Sequence, residues 1–386
     1  MERGALEGLR IADFSRVLAG PYATMLLADL GADVVKVERP GAGDETRQWR
    51  PPADAHGTST YFLGVNRNKR SVALDLSDET GRERARALVA ASDVLVENFR
   101  PGTMERLGLG YDDLKAGHPG LVYCSISGFG TGDGAAIPGY DLLVQAVGGL
   151  MSVTGEPGGE PTKAGVALVD VITGLHATLG ILAALRHRDA TGEGQRVEVN
   201  LLSSLLSAMV NQASAYAVAG VVPGRMGNAH PSIAPYETFS TADRPLALAV
   251  GNDAQFAALA GVLGRPDLAD DPRFRTNPQR VAHRAPLRQV LDELLRTAGA
   301  DHWSAALSAA GVPAGPVNTL DEAFAFAGRL GLPGIVTVPG AGGAPESRQV
   351  ACPLTLTATP ARHRLPPPAL GEHTAEVFGE PGRPTP

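Results

Sequence analysis

Asp170 is the residue whose type and surroundings most invite chemistry. It lies in Ala164-Gly-Val-Ala-Leu-Val-Asp-Val-Ile-Thr-Gly-Leu-His-Ala-Thr-Leu-Gly-Ile-Leu-Ala-Ala-Leu185, a single carboxylate in a long apolar stretch. Burying an ionised carboxylate costs several kcal/mol unless something pairs with it or donates hydrogen bonds to it. The apolar pattern also changes period here: Gly165 to Val169 reads as a short strand, whereas Leu175, Leu179, Leu182 and Ala183 recur at helical spacing. Asp170 therefore falls at a predicted strand-to-helix junction, where free N–H groups and the helix dipole favour an anion. Two readings stay open on this segment alone: a helix N-cap, which Asp fills well, and a reactive carboxylate.

Other chemistry-bearing residues are weighed against simpler roles. Arg39, Arg67, Lys69, Arg70, Arg100 and Arg106 lie near predicted strand ends; converged in space they suit a phosphorylated ligand such as a nucleotide, and dispersed they are solvated charges. Gly20 is not part of a G-x-G-x-x-G pattern, so a nicotinamide dinucleotide is disfavoured. Gly128-Phe-Gly-Thr-Gly-Asp-Gly134 lacks a following Lys-Ser/Thr and reads as a flexible loop. Ser125-Ile-Ser-Gly is not a nucleophile elbow. The nine histidines show no metal-ligand spacing; His176 reads as a core residue, and His230 and His373 as loop residues. Cys124 and Cys352 stand far apart among apolar neighbours and read as inert buried thiols.

The elements that must position these residues alternate in type. Leu9–Phe14, Ala32–Glu38, Ser71–Leu76, Asp93–Glu97, Leu121–Ile126 and Gln195–Asn200 read as strands, with helices predicted over Pro21–Leu30 and Thr80–Ala90. Such alternation predicts an α/β fold with a Rossmann-like parallel sheet, its ligands at the carboxyl ends of the strands. Leu201–Ala219 reads as one long helix leaving that layer. The large domain is expected over 1–196 and 350–386, a helical linker over 197–224, a smaller α/β domain over 225–318 and a return linker over 319–349. A net charge of −7 spread along 386 residues excludes nucleic acid as the main partner. No signal-peptide core or span of about 20 apolar residues is read, so a soluble cytoplasmic protein with no membrane association is expected, ending in a frayed tail at Glu380–Pro386.

Several segments together resemble one family. They are Ala12-Asp-Phe-Ser-Arg-Val-Leu-Ala-Gly-Pro21, Leu30-Gly-Ala-Asp-Val-Val-Lys-Val-Glu-Arg-Pro40, Asn68-Lys-Arg-Ser-Val-Ala-Leu-Asp75, Glu97-Asn-Phe-Arg-Pro-Gly102, the Asp170 segment, Gly192-Glu-Gly-Gln-Arg-Val-Glu-Val199 and Leu370-Gly-Glu-His-Thr374. In order and nearly end to end, these resemble the class III coenzyme A transferases, of which formyl-CoA transferase is one type and whose fold the alpha-methylacyl-CoA racemases share. The resemblance implies that Asp170 is a nucleophile. It further implies that Val17, Ala19, Arg39, Leu74, Asn98, Phe99 and Arg106 contact coenzyme A, and that Tyr140 lies near the acyl group. It implies an acyl-CoA thioester and a small carboxylic acid as substrates, aspartyl anhydride and aspartyl-CoA intermediates, no permanently bound cofactor, no metal, and an interlocked homodimer.

Two departures bear on the alternatives. Racemases of this fold carry a histidine before an aspartate, where this chain has Gly139-Tyr-Asp141; a tyrosine with a pKa near about 10 is a poor base at neutral pH. Asp253 aligns with a second racemase carboxylate only across a gap. Some transferases close a glycine run over the acyl group; the corresponding segment here is Gly227-Asn-Ala-His-Pro-Ser232, the candidate cover. Arg225 is a candidate for a second carboxylate of the acid, or a solvated charge. An alpha-methylacyl-CoA racemase and a non-enzymatic acyl-CoA-binding regulator are the competing readings.

Overall fold

The computed structural model describes residues 4–340 and 346–379, so the expected tail at Glu380–Pro386 lies outside the described residues. Six strands form a parallel sheet: β1 (Arg10–Asp13), β2 (Asp33–Glu38), β3 (Lys69–Ala73), β4 (Val94–Glu97), β5 (Val122–Ser127) and β6 (Arg196–Asn200). Their order is β3-β2-β1-β4-β5-β6, so the direction of winding reverses between β1 and β4. A ligand crevice is expected there, outside the carboxyl ends of the strands.

The central strands carry apolar residues on both faces because both faces are covered. Ile11, Val34, Val94, Val96, Val122 and Cys124 pack in one core, with α1 (Ala19–Asp29) and the long helix Leu168–Thr191; Ala12, Val35, Val72, Leu95 and Tyr123 pack in the other, with α2 (Glu79–Ala90). The edge strand β3 is covered by the motif near the C-terminus. Ser71 N donates to His373 Nδ1 at 3.3 Å, and Ala73 N donates to Thr374 Oγ1 at 3.0 Å. Leu370–Thr374 thus shields an open sheet edge.

Between β5 and β6 lie α3 (Asp141–Val147) and α4 (Leu168–Thr191); α5 (Leu201–Ala208) and α6 (Val210–Ala219) follow β6. The strand expected at Gly165–Val169 does not form. The helix starts at Leu168, and Asp170 stands in its first turn rather than at the N-cap, which is Ala167. A short apolar run cannot by itself separate strand from buried helix start. The single helix expected over Leu201–Ala219 is two: Met209 N–H closes the first turn system on Leu205 O, and Met209 O accepts from Gln212 N–H to start the second. By length and composition α4 is apolar enough to cross a membrane. Its residues Val169, Ala177, Ile181 and Leu185 are buried in the core.

The chain forms two compact units. The first comprises Met1–Leu150, Ala164–Gly220 and Gly331–Pro386; the second comprises Met151–Lys163 and Val221–Leu330. The segment expected as a linker over 197–224 thus belongs to the first unit up to Gly220, because Leu201 and Leu205 are buried in its core. An excursion at 151–163, not expected from sequence, belongs to the second unit. There β7 (Tyr236–Phe239), β8 (Leu246–Ala249) and β9 (Ala314–Pro316) form an antiparallel sheet. Phe239, Leu246 and Leu248 share its core with Phe256, Leu291 and Trp303 from the surrounding helices.

Candidate active site

The crevice at the winding reversal is built by the loop after β1. Asn98, directly after β4, accepts from Arg16 N at 2.8 Å through its carbonyl and donates to Arg16 O at 2.7 Å, tying the two loops together. Lys36 Nζ donates to Ser15 O at 2.8 Å and pairs with Asp44 at 2.9 Å, both side chains fully buried. Asp44 also accepts from Val17 N at 3.3 Å. Burial opposes its ionisation, but Lys36 and the Thr46 N–H hold its carboxyl down to about 2. Val17 needs this support: its φ of +68° is strained for a β-branched residue.

A cleft of about 330 Å³ opens over that loop, lined by Val17, Leu18, Ala19, Asn98, Phe99, Ile126, Tyr140 and Asp170 among others. Its far wall is drawn in by Gly128 and Gly139, whose backbones approach so closely that a Cβ on Gly128 would stand 2.5 Å from Gly139 Cα. Of the glycine-rich segment Gly128–Gly134, Gly128 lines the cleft, followed by Ala135, Ile137, Pro138 and Gly139 beyond it. Asp170 reaches the cleft because α4 lies close on α1: a Cβ on Gly174 would stand 2.7 Å from Ala19 O.

Asp170 is partly buried, and burial, reinforced by the charge of Asp141, pushes its carboxyl up to about 7. Tyr61 is pushed up to about 12 by burial and by the charges of Asp170, Asp141 and Asp44, so its phenol is neutral. Its ring stands edge-on to Trp49 at 5.1 Å. Tyr140, at the start of α3, is largely exposed and borders the same cleft. Arg16 Nε and Glu45 Oε2 on the cleft wall are buried without a hydrogen-bond partner, although the two side chains pair at 2.6 Å.

A second cleft of about 300 Å³ shares Arg16 and Phe99 with the first and is lined by Val37, Arg39, Leu74 and Leu107. Of the expected site residues, Val17, Ala19, Asn98, Phe99, Tyr140 and Asp170 thus meet in one cleft, and Arg39, Leu74 and Phe99 in its neighbour. Arg106 borders neither; it is exposed and donates to Thr103 Oγ1 at 3.0 Å. The basic group does not converge as a whole. Arg67 is bound to Asp29 at 2.6 Å, Lys69 to Asp13 at 3.1 Å and Arg70 to Asp33 at 2.6 Å, which leaves Arg39 and Arg100 at the clefts. Among the described residues no group of His, Cys, Asp and Glu could hold a metal.

A family model described as CoA-transferase family III matches residues 6–374. The chain belongs to that family. It is 44% identical over 382 residues to the succinate–glutarate CoA-transferase of Agrobacterium fabrum, covering 97% of this chain and 95% of that protein. It is 39% identical over 388 residues to a succinyl-CoA:mesaconate CoA-transferase of Haloarcula hispanica, covering 98% of this chain and 97% of the relative. A CAIB/BAIF family protein from Brucella suis superposes with a TM-score of 0.87 at 42% identity, covering 98% of this chain and 99% of that one.

Within this family III CoA-transferase, two candidates from sequence have other partners. Asp253 pairs with the buried Arg280 at 2.7 Å and accepts from Asn277 N at 3.0 Å, which occupies it structurally. Arg225 donates to Gly159 O at 2.8 Å and to Glu156 O at 3.4 Å, both exposed bonds within the second unit. Sequence reasoning missed Tyr61, Glu45 and the part played by Asp141. The only signal for Asp141 was its place after Tyr140, in a motif read for the histidine it lacks.

Proposed function

We propose that this chain is a formyl-CoA transferase-like enzyme that moves coenzyme A from an acyl-CoA to a small carboxylic acid, with Asp170 as nucleophile. The observation that carries this reading is a partly buried carboxylate in a cleft of mixed polar and apolar lining at the winding reversal, with no cation paired to it among the described residues. A structural carboxylate in such a place would be neutralised by a partner. One that must alternately carry and release an acyl group has to stay free.

Asp170 attacks the thioester carbonyl and the C–S bond breaks, giving an aspartyl mixed anhydride and CoA thiolate. The thiolate attacks the aspartyl carbonyl and expels the donor acid, leaving an aspartyl-CoA thioester. The acceptor carboxylate attacks that thioester and releases the thiolate, which then attacks the acceptor's carbonyl in the new anhydride. Asp170 is restored and the acceptor leaves as its CoA thioester. Each step exchanges groups of comparable leaving ability, so no external energy source is required. Val17, Leu18, Phe99 and Ile126 limit water at the anhydride. Tyr140 at the rim donates a hydrogen bond to the acyl oxygen.

The neighbouring cleft supplies the rest of the thioester's site, with Arg39 on the phosphates. Small dicarboxylates are the acids proposed, following the names of the relatives. The same proposal includes a reducing cytoplasm, which two buried cysteines suit, and an interlocked homodimer.

The test is succinyl-CoA consumption with a panel of acids in heavy water, wild type against Asp170→Ala. Transfer to an acid by the wild type alone, with CoA affinity retained in the variant, is expected. Transfer by the variant, or alpha-deuterium uptake without transfer, would contradict the proposal and, in the second case, favour the racemase.

A further inference from the structure

Two side chains on α3 hold the turn that carries Asp170. Asp141 Oδ1 accepts from Val169 N at 2.8 Å and from Asp170 N at 3.3 Å, and Asp141 Oδ2 accepts from Gln145 Nε2 at 2.6 Å. Gln145, fully buried, accepts from Ala164 N at 2.8 Å through Oε1. One helix face, through residues four apart, therefore grips both ends of the segment from Ala164 to Asp170. The first N–H groups of α4 have no partner in their own helix, and its N-cap, Ala167, has no side-chain acceptor.

Resting on the reading of Asp170 as nucleophile, we propose that Asp141 and Gln145 are positioning residues for the transfer reaction. Together they fix the turn so that the Asp170 carboxylate is presented to the cleft. Asp caps these N–H groups well, and a neutral Asn would accept the same bonds. Asp141 also sets a second carboxylate beside the nucleophile, where like charge is unfavourable. The charge of Asp141 adds to burial in keeping part of the Asp170 population protonated near neutrality.

The titratable groups that interact with Asp170 are Asp141 on α3 and Tyr61, and Arg16, Glu45, Arg100 and Tyr140 line the same cleft. Asp141 acts through Asp170 rather than on substrate, so its signature is in kcat and in the pH profile.

The experiment measures kcat, KM for succinyl-CoA and the pH dependence of kcat/KM in the full-length protein for Asp141→Ala, Asp141→Asn and Gln145→Ala. Asp141→Ala and Gln145→Ala are expected to lose about 100-fold in kcat with little change in KM, the effect of a misplaced reacting group. Asp141→Asn, which keeps an acceptor, is expected to recover most of the kcat at high pH and to move the acid limb to lower pH. Wild-type kcat in Asp141→Ala, or an acid limb unmoved or moved upward in Asp141→Asn, would overturn the proposal. Should the alanine variants not fold, the Asn profile decides alone. Hydroxylamine trapping on the wild type in the same preparation separates the two failures. No adduct at Asp170 sinks the nucleophile reading itself, whereas an adduct with unaffected variants sinks only the positioning role.

Discussion

At the scale of the residue, Asp170 is held in a state that costs stability once ionised. Its folded pKa of about 7 lies above the ordinary value of 3.8, so the native state binds the proton more tightly than the unfolded chain. A raised carboxyl pKa costs nothing below the unfolded value; the cost grows between about pH 4 and 7 and is complete above that, reaching at most about 4 kcal/mol. Asp170→Asn is therefore expected to be inactive yet more stable than wild type, by an increment that rises with pH through that window and then levels off. Urea unfolding at pH 4, 6 and 8 checks this; a variant less stable than wild type at pH 8 would show that the carboxylate is structurally paired. The same ionisation makes kcat/KM rise with pH through about 7 on the acid side.

At the scale of the element, the site depends on how closely α4 approaches α1. Gly174→Ala would place a methyl against Ala19 O and separate the helices, at a cost of about 1–3 kcal/mol. Lower stability in urea melts together with reduced kcat is expected; an unchanged midpoint would mean that the contact is loose. The strands were legible because β2, β4 and β5 are short apolar runs bounded by polar residues, and the parallel arrangement followed from their alternation with helices. The start of α4 was not, because Asp141, 28 residues earlier, caps Val169 and so begins a helix where the apolar run alone suggests a strand. The roles of Arg67, Lys69 and Arg70 were equally hidden. Each is charged and near a strand end, and only the fold shows that Asp29, Asp13 and Asp33 are waiting for them. Asp170 itself was undecided from periodicity and was assigned by likeness to a family pattern.

At the scale of the whole molecule, the first unit leaves apolar side chains in solvent: Leu175 and Leu179 on α4, and Val210, Tyr216 and Val218 on α6. A second copy of the chain is the proposed cover for these side chains. Sedimentation equilibrium is expected to give twice the chain mass of 39.9 kDa, independent of dilution over the accessible range. A monomer mass with full activity would separate the transfer chemistry from the proposed dimer.

The most direct test of the central claim is mass spectrometry of the wild-type protein incubated with succinyl-CoA and quenched with hydroxylamine, followed by peptide mapping. An activated aspartyl carbonyl, as anhydride or thioester, is converted to a hydroxamate, predicted at Asp170 and absent without the thioester. Transfer proceeding with no hydroxamate at Asp170, or with the adduct on another residue, would contradict the account.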